Sequence, residues 1–188
     1  YTGRPTVPII VDTTTGKGVN NDNFNLTTYL EADWTPYHKE NAPDLYPLEL
    51  REEIDKLNKI IYEDINTGVY KAGFAHAQEA YEKAYDKLFS TLDEFEKRLE
   101  NQRYLFGDKL TDSDIRLYTT LARFDSVYYQ IFRVNRNRLV DYKNLWDYAR
   151  DLYQTPGIGD TTDFEFIKDS YHLSPHLKAL FGNVHSLL

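Results

Sequence analysis

The stretch that decides the fold of this chain is Tyr104-Leu105-Phe106-Gly107-Asp108-Lys109-Leu110-Thr111-Asp112-Ser113-Asp114-Ile115-Arg116. Thr111 lies three residues before Asp114, so each side chain can reach the other's free backbone N–H, which is the pattern of a capping box. The sequence that follows is apolar on nearly every side of the predicted helix, as far as Phe132. A helix of that kind lies at the centre of an all-helical domain. We therefore predict a buried central helix that begins near Asp112.

Helical spacing recurs on both sides of this central helix. One long helix is predicted to start at Pro47, which suits a first helical turn, and to end at Gly68. A second is predicted from Ala77 to Leu99 and another from Tyr142 to Tyr153. A last helix is predicted to start at Thr162, where Glu165 would complete a second capping box. Five or more helices are enough to bury a core of their own.

The first part of the chain has a different pattern. Val7 to Asp12 has the composition of a short strand, and Lys17 to Asn21 could pair back against it as the second strand of a hairpin. From Asp22 the spacing becomes helical. A strand, a hairpin and a helix in this order form the second half of a thioredoxin-like α/β domain. Residues 1–34 are predicted to be this part, residues 35–46 a linker with two prolines, and residues 47–188 the all-helical domain.

Composition excludes several classes of function. The net charge of −8 and the pI near 5.1 argue against a protein that binds the phosphate backbone of nucleic acids. Arg133, Arg136 and Arg138 form a basic cluster too short to reverse this, and it is interpreted as a solvated loop. No apolar run approaches the roughly 20 residues that cross a bilayer. The five histidines show no ligand spacing beyond the i,i+4 pair His172 and His176, which Pro175 interrupts, so we predict no metal site. We also predict no membrane partner and a cytoplasmic location.

Three separated motifs resemble one protein family. They are Asn66-Thr67-Gly68-Val69-Tyr70-Lys71-Ala72-Gly73-Phe74-Ala75, the run from Leu110 to Tyr128, and Arg150-Asp151-Leu152-Tyr153-Gln154-Thr155-Pro156-Gly157. In this order they resemble the glutathionyl-hydroquinone reductases, the Xi class of the glutathione transferase superfamily. The resemblance runs from residue 1 to about Tyr171, and no structure is predicted for Leu173 to Leu188. It implies a mainly α chain, in which an all-helical glutathione transferase C-terminal domain follows the second half of a thioredoxin-like domain.

The resemblance implies a glutathione site near the start of the chain. In thioredoxin-like folds the bond before Pro8 is cis, and the backbone of Val7 would then pair with the cysteinyl backbone of glutathione. In the family a Glu-Ser pair holds the γ-glutamyl end at a helix N-terminus, where free N–H groups and the helix dipole attract the carboxylate. Here the pair is Asp22-Asn23, with a shorter acidic side chain, so another low-molecular-weight thiol stays an alternative. From the residues alone, both are candidates for helix capping.

The resemblance also implies that Tyr70, Tyr128 and Tyr171 line the pocket for the glutathionyl-hydroquinone and bond to its quinol oxygens. A tyrosine offers an apolar ring that stacks on an aromatic substrate and a hydroxyl that donates or accepts. Three converging hydroxyls could stabilise the negative charge that grows on a leaving quinol. From the residues alone, the alternative is that each buried tyrosine only packs and satisfies one hydrogen bond.

No residue of the chain can serve as the family's nucleophile. The resemblance implies a cysteine at the N-terminus of the first thioredoxin-domain helix, whose thiolate attacks the substrate sulfur before a second glutathione resolves the mixed disulfide. Because the chain has no cysteine and starts at Tyr1, we expect it to begin inside a longer protein with the cysteine upstream. The full-length protein would then be a cytoplasmic homodimer that uses glutathione as co-substrate.

Two other functions stay open at this point. The missing cysteine and the altered Asp22-Asn23 pair are also compatible with a non-catalytic transferase-like module that binds a ligand or a partner. An ordinary conjugating transferase, which activates glutathione with a serine or tyrosine, is the other alternative. A Cys-Pro pair upstream, at a strand-to-helix junction, would favour the reductase, whereas Ser or Ala there would favour the module.

Overall fold

A computed structural model describes residues 7–181, and residues 1–6 and 182–188 lie outside this range. The predicted mainly α fold is confirmed: a small hairpin precedes a helical bundle. The elements are β1 (Ile10–Asp12), β2 (Lys17–Asn20), α1 (Leu26–Ala32), α2 (Arg51–Ile60), α3 (Gly68–Gly73), α4 (Gln78–Arg98), α5 (Asp112–Arg123), α6 (Tyr129–Ile131), α7 (Lys143–Gln154), α8 (Phe164–His172) and α9 (Pro175–Phe181). Within the described range, no helix combines the length and the apolar character needed to span a bilayer.

The predicted hairpin is present, with β1 antiparallel to β2. Its turn is held by the carboxylate of Asp12, which accepts hydrogen bonds from the backbone N–H of Thr14 (2.8 Å) and the hydroxyl of Thr15 (2.8 Å). This is the local bonding that makes aspartate favourable in turns. Gly16 closes the turn with φ of 65°, a conformation that suits glycine. The first strand is shorter than predicted and begins at Ile10.

The helix expected from Asp22 begins later, at Leu26. The carboxylate of Asp22 accepts hydrogen bonds from the backbone N–H (3.2 Å) and the side-chain amide (2.7 Å) of Asn25. The backbone N–H of Asp22 donates to the side-chain oxygen of Asn20 (2.7 Å). These local bonds hold the segment in a turn, which competes with helix formation, and Asn25 takes the N-cap position.

The helix predicted to end at Gly68 is divided, and this prediction was wrong for Gly68, which is the first residue of α3. After α2 the chain widens into a π-helical turn over Ile61–Asn66. The side-chain amide of Asn66 donates to the backbone carbonyl of Arg116 (3.0 Å) and to the hydroxyl of Thr120 (2.7 Å), both on α5. These contacts fix the widened turn against the central helix, and α3 follows it. Turns of this type are often found at functional sites.

The central helix begins where predicted, and its capping box is present. The side chain of Asp114 is fully buried and accepts hydrogen bonds from the N–H groups of Thr111 (2.8 Å) and Leu105 (2.9 Å) and from the hydroxyl of Tyr148 (2.8 Å). Burial raises the pKa of this carboxyl, and the hydrogen bonds oppose the rise. The helix widens into a second π-helical turn, Phe124–Tyr128, before α6. It packs against α2 and α7, while α3 and α7 pack against α4.

The C-terminal part differs from the prediction in two ways. The cap of α8 is Asp163, whose carboxylate accepts from the N–H of Phe166 (2.9 Å), so the predicted capping box at Thr162 was wrong. The hydroxyl of Thr162 is instead hydrogen-bonded to that of Tyr118 on α5 (3.0 Å). The helix α9 occupies part of the segment for which no structure was predicted.

The basic cluster is only partly a solvated loop. Arg133, Arg136 and Arg138 are all exposed residues. The guanidinium of Arg136 nevertheless lies 4.5 Å from the ring centroid of Phe89 and donates to the hydroxyl of Tyr142 (2.7 Å) and to the carboxylate of Asp93. A guanidinium stacked on an aromatic ring and hydrogen-bonded in this way joins segments of the bundle.

Candidate functional site

The hydroxyls of Tyr70, Tyr128 and Tyr171 meet at one point of the structure. The oxygen atoms of Tyr70 and Tyr128 are 3.2 Å apart, and those of Tyr128 and Tyr171 are 3.1 Å apart. Tyr70 and Tyr171 are also hydrogen-bonded to each other. We call this arrangement the tyrosine triangle. The three residues come from α3, from the end of the second π-helical turn and from α8, so the triangle is formed entirely by tertiary packing.

Phe132 supports the tyrosine triangle from behind. Its ring stacks on that of Tyr128, with centroids 5.5 Å apart and planes inclined by 14°, and lies 5.2 Å from the ring of Tyr70. Phe132 reaches this position because residue 73 is glycine: a Cβ atom there would lie 2.3 Å from Cγ of Phe132. The aromatic packing therefore fixes the directions in which the phenol groups project.

The buried phenols are held in their neutral form. Burial raises the pKa of Tyr70 to about 12. Tyr128 is only 3% exposed, and burial, followed by the neighbouring phenols, raises its pKa further above the usual range. Both groups therefore carry their protons at neutral pH. They are suited to donate hydrogen bonds to a ligand rather than to act as bases.

A cavity of about 620 Å³ opens beside the triangle, where the hairpin-and-helix part meets the bundle. This volume is within the range of small-molecule sites in proteins. We call it the tyrosine cavity. Its lining residues are Pro8, Asn23, Thr27, Tyr62, Asn66, Thr67, Tyr70, Ile115, Arg116, Thr119, Thr120, Arg123, Tyr128 and Tyr171.

Comparison with known proteins places the chain in a family. The family model "Glutathione S-transferase, C-terminal domain" matches residues 78–151. Glutathionyl-hydroquinone reductase YqjG of Escherichia coli is 43% identical over 174 residues, which cover 93% of this chain and 53% of that protein. The glutathione-bound structure of YqjG has a TM-score of 0.91 at 41% identity, covering all of this chain and 60% of the other. The glutathione transferase Xi of Phanerochaete chrysosporium has a TM-score of 0.92 at 40% identity, with coverages of 100% and 64%.

This chain belongs to the Xi class of the glutathione transferases. The predicted resemblance is thereby confirmed. The Xi-class chain spans about half the length of the curated relatives that it matches.

In this Xi-class chain, two of the four residues predicted to hold glutathione line the tyrosine cavity, namely Pro8 and Asn23. The bond between Val7 and Pro8 is cis, as the resemblance implied. Val7 is 86% exposed, and neither Val7 nor Asp22 is among the lining residues. The hydrogen bond from the side chain of Asn25 lowers the pKa of the Asp22 carboxyl, which is therefore ionised at neutral pH. The role of these four residues in binding the thiol stays a prediction.

Sequence reasoning missed the pair that joins the two parts of the Xi-class chain. Nε of Arg116 donates to the carboxylate of Asp112 at 2.6 Å, and the two side chains are 11% and 1% exposed. The same guanidinium donates to the backbone carbonyl of Phe24 (2.8 Å) and to the hydroxyl of Thr27. Asp112 also accepts from the side-chain amide of Asn58 (2.8 Å). The pair thus fixes α1 and the residues before it on α5, and Arg116 is one of the residues that line the tyrosine cavity. Its only local signal was the i,i+4 spacing of an acid and a base.

Metal-binding geometry is not found among residues 7–181, where no three His, Cys, Asp or Glu side chains lie close enough to share an ion. His185, one of the five histidines considered, lies outside these residues. The groups that the described part of the site offers to a ligand are therefore phenols, amides, hydroxyls and the guanidinium groups of Arg116 and Arg123.

Proposed function

We propose that the full-length protein reduces glutathionyl-hydroquinones, with glutathione as co-substrate. The observation that supports this most strongly is the tyrosine triangle, because it directs three hydroxyls to one cavity that also contains Pro8 and Asn23. A quinol is an aromatic ring with two oxygen atoms, which suits a cavity whose wall combines aromatic rings and hydroxyls. The name of the Escherichia coli relative and the glutathione bound in its structure support the same substrate class.

The proposed reaction begins with attack of a cysteine thiolate on the sulfur atom of the substrate. A sulfur–sulfur bond forms and the carbon–sulfur bond breaks, so its electron pair stays on the quinol ring, which takes up a proton. A second glutathione then reduces the mixed disulfide and leaves glutathione disulfide. Because these 188 residues contain no cysteine, the attacking thiol would come from a part of the protein outside this chain.

In this reaction the residues of the chain stabilise the developing charge. The negative charge that develops on the ring is shared with the quinol oxygens, and the protonated phenols of Tyr70 and Tyr128 can donate hydrogen bonds to them. Tyr171 completes the set of donors. Because these donors are already positioned by packing, little reorganisation is needed as the charge develops. Pro8 and Asn23, together with the neighbouring Val7 and Asp22, are proposed to hold glutathione.

The proposal is tested by assaying the full-length protein with glutathione and a glutathionylated hydroquinone. Release of quinol no faster than in buffer would show that the proposed activity is wrong. Tyr128→Phe should lower kcat by about ten- to a thousandfold, the scale of a lost charge-stabilising donor. The matched control is Tyr142→Phe: this tyrosine is also buried and hydrogen-bonded, but it lies outside the tyrosine cavity, so kcat should be preserved. If Tyr128→Phe and Tyr142→Phe were equally active, the tyrosine triangle would have no role in the reaction.

The same assay separates the two alternatives. A non-catalytic module would bind the substrate without releasing quinol, and a conjugating transferase would form thioethers from glutathione and an electrophile instead of breaking them. The proposal also includes a cytoplasmic homodimer and the division into residues 1–34, 35–46 and 47–188. The start of the first helical turn of the bundle at Leu48 supports this division.

A further inference from the structure

The first π-helical turn, Ile61–Asn66, determines which side of α3 faces the tyrosine triangle. It contains one residue more than a regular α-helical turn, so the backbone N–H of Thr67 donates to the carbonyl of Tyr62 (2.9 Å), five residues before it. Each residue of an α-helix advances the chain by about 100° around the helix axis. If this turn became a regular α-helix, Tyr70 would therefore be rotated by about 100° away from the triangle.

The side chain of Asn66, the last residue of this turn, holds it on the central helix. Its Nδ2 atom donates to the backbone carbonyl of Arg116 (3.0 Å) and to the hydroxyl of Thr120 (2.7 Å). Because a carbonyl oxygen can only accept, the first contact determines the orientation of the amide group. Thr120 is buried, so water competes little for the second bond.

These two bonds are the polar link between the segment that carries Tyr70 and the central helix. Within residues 7–181, no other hydrogen bond joins residues 61–73 to α5. The turn also packs against α5. Apolar packing is not directional, whereas a hydrogen bond weakens as its length and angle depart from the optimum. The amide of Asn66 is therefore the group that fixes the register of the turn on α5.

This register bears directly on the tyrosine triangle. The central helix continues into the second π-helical turn, which ends at Tyr128, so Asn66 connects the segments that carry Tyr70 and Tyr128. The hydroxyl oxygens of these tyrosines are 3.2 Å apart. A shift of about 1 Å between the two segments would break their hydrogen bond. The position of Tyr70 thus depends on a contact made one helical turn before it.

We propose that Asn66 is a positioning residue for the proposed reaction: it holds the first π-helical turn on α5 and so keeps the hydroxyl of Tyr70 in the tyrosine triangle. This inference rests on the proposed function and adds a residue that acts through Tyr70 rather than on the substrate. Misplacing a group by about 1 Å can reduce the rate of an enzyme about a hundredfold. Loss of the amide should therefore lower kcat by about ten- to a hundredfold.

The test compares Asn66→Leu with Asn144→Leu in the full-length protein, assayed with glutathione and a glutathionylated hydroquinone. Leucine is similar in shape to asparagine but cannot donate a hydrogen bond. Asn144 is the matched control, because its Nδ2 atom also donates to a backbone carbonyl of another helix, that of Glu96 (3.0 Å), and it does not line the tyrosine cavity. We expect a lower kcat and a similar KM for Asn66→Leu, and an unchanged kcat for Asn144→Leu.

Combination with Tyr70→Phe distinguishes positioning from a direct contact with the substrate. If Asn66 acts through the hydroxyl of Tyr70, Asn66→Leu should lower kcat of the wild-type protein and have no further effect on Tyr70→Phe. Thr120→Val removes one of the two acceptors of Asn66 and should lower kcat by a smaller factor. This variant decides the question if Asn66→Leu does not fold.

The outcomes separate the inference from the proposed function. Normal turnover by the wild-type protein, with full kcat in Asn66→Leu or Thr120→Val, would overturn the inference alone. It would also be overturned if Asn66→Leu reduced kcat equally in the wild-type and Tyr70→Phe backgrounds, or if Asn144→Leu caused the same loss. No turnover by the wild-type protein would overturn the proposed function, and the inference would fall with it.

Discussion

Replacing Arg116 by methionine tests whether the buried ion pair holds the two parts of the chain together. The variant leaves the carboxylate of Asp112, which is 1% exposed, without its cationic partner. Removing one member of a buried pair costs about 3–5 kcal/mol. Asp112 would keep its hydrogen bond from Asn58 (2.8 Å), so we expect the lower end of this range. A domain of this size loses about 2–4 °C in Tm per kcal/mol, which predicts a fall of about 6–12 °C.

The control for this prediction is Arg103→Met. Arg103 makes a bidentate ion pair with Asp151, at 2.7 and 2.9 Å, but its side chain is 58% exposed. Exposed pairs contribute at most about 1 kcal/mol, so this variant should hardly change Tm. Thermal unfolding of the full-length protein, followed by circular dichroism, compares the two. Arg116→Met combined with Asp112→Asn should cost less than the sum of the single changes, with a coupling of about 1–3 kcal/mol.

A further measurement locates the effect within the chain. Because Arg116 donates to the hydroxyl of Thr27 in α1 and to the carbonyl of Phe24 just before it, Arg116→Met should accelerate amide hydrogen exchange in α1 more than in α4. Equal losses of Tm for Arg116→Met and Arg103→Met, or strictly additive single changes, would refute the reasoning. In either case the pair would not be what fixes α1 on the bundle.

Two further predictions concern a buried acid and a close contact. Burial, and then the charge of Asp112, raises the pKa of Glu31 to about 8 from its ordinary value of 4.5. The protonated side chain of Glu31 therefore contributes fully to stability at pH values below its pKa in the unfolded chain. This contribution is lost as the pH rises through about 8, where the buried carboxyl ionises. Near pH 9, Glu31→Gln should be more stable than wild type by about 1–2 kcal/mol, a value that allows for solvent screening. Near pH 5 the two proteins should differ little in stability. A difference in thermal unfolding that does not change with pH would contradict this prediction. Gly73→Ala should displace Phe132, costing about 1–3 kcal/mol and lowering kcat. Gly68→Ala is the control and should be tolerated, because a Cβ atom at residue 68 would lie 3.8 Å or more from its neighbours. Similar melting temperatures for the two alanine variants would contradict the role assigned to the contact between residue 73 and Phe132.

Features with short-range causes were predictable from the sequence. The capping box of Thr111 and Asp114 formed as expected, because both partners lie within one turn. The predicted helix from Ala77 to Leu99 is α4 with bounds moved by one residue at each end. The hairpin followed from its turn residues. In each case the hydrogen bonds that define the element connect residues close in sequence, so a local pattern contains the necessary information.

Features that depend on tertiary contacts were not predictable. The π-helical turn before Gly68 is anchored by Asn66 to residues of α5, which are 50 and 54 positions away. Thr162 did not become a cap because its hydroxyl is bonded to Tyr118, and Asp163 took the position. The sequence near Asn66 and near Thr162 does not indicate either of these long-range hydrogen bonds. A helix boundary is therefore the part of a pattern that tertiary structure most easily changes.

The candidate site was accessible to sequence reasoning only through the family resemblance. The chain has 16 tyrosines, and no spacing rule distinguishes Tyr70, Tyr128 and Tyr171 from the others. The acid and base at 112 and 116 were visible as an i,i+4 pair, but their contacts with Phe24 and Thr27 span more than 80 positions.

The distribution of the tyrosine triangle along the chain has a consequence for biogenesis. Tyr70 and Tyr171 are separated by 101 positions, and Tyr128 lies between them. Because Tyr171 lies in α8, the triangle cannot close until that helix has been synthesised and has packed against the rest of the bundle. A nascent chain or a proteolytic product that ends before residue 171 would contain most of the helices but would lack one residue of the tyrosine triangle. If the tyrosine cavity binds a quinol as proposed, that binding would report that the segment up to α8 is present and packed.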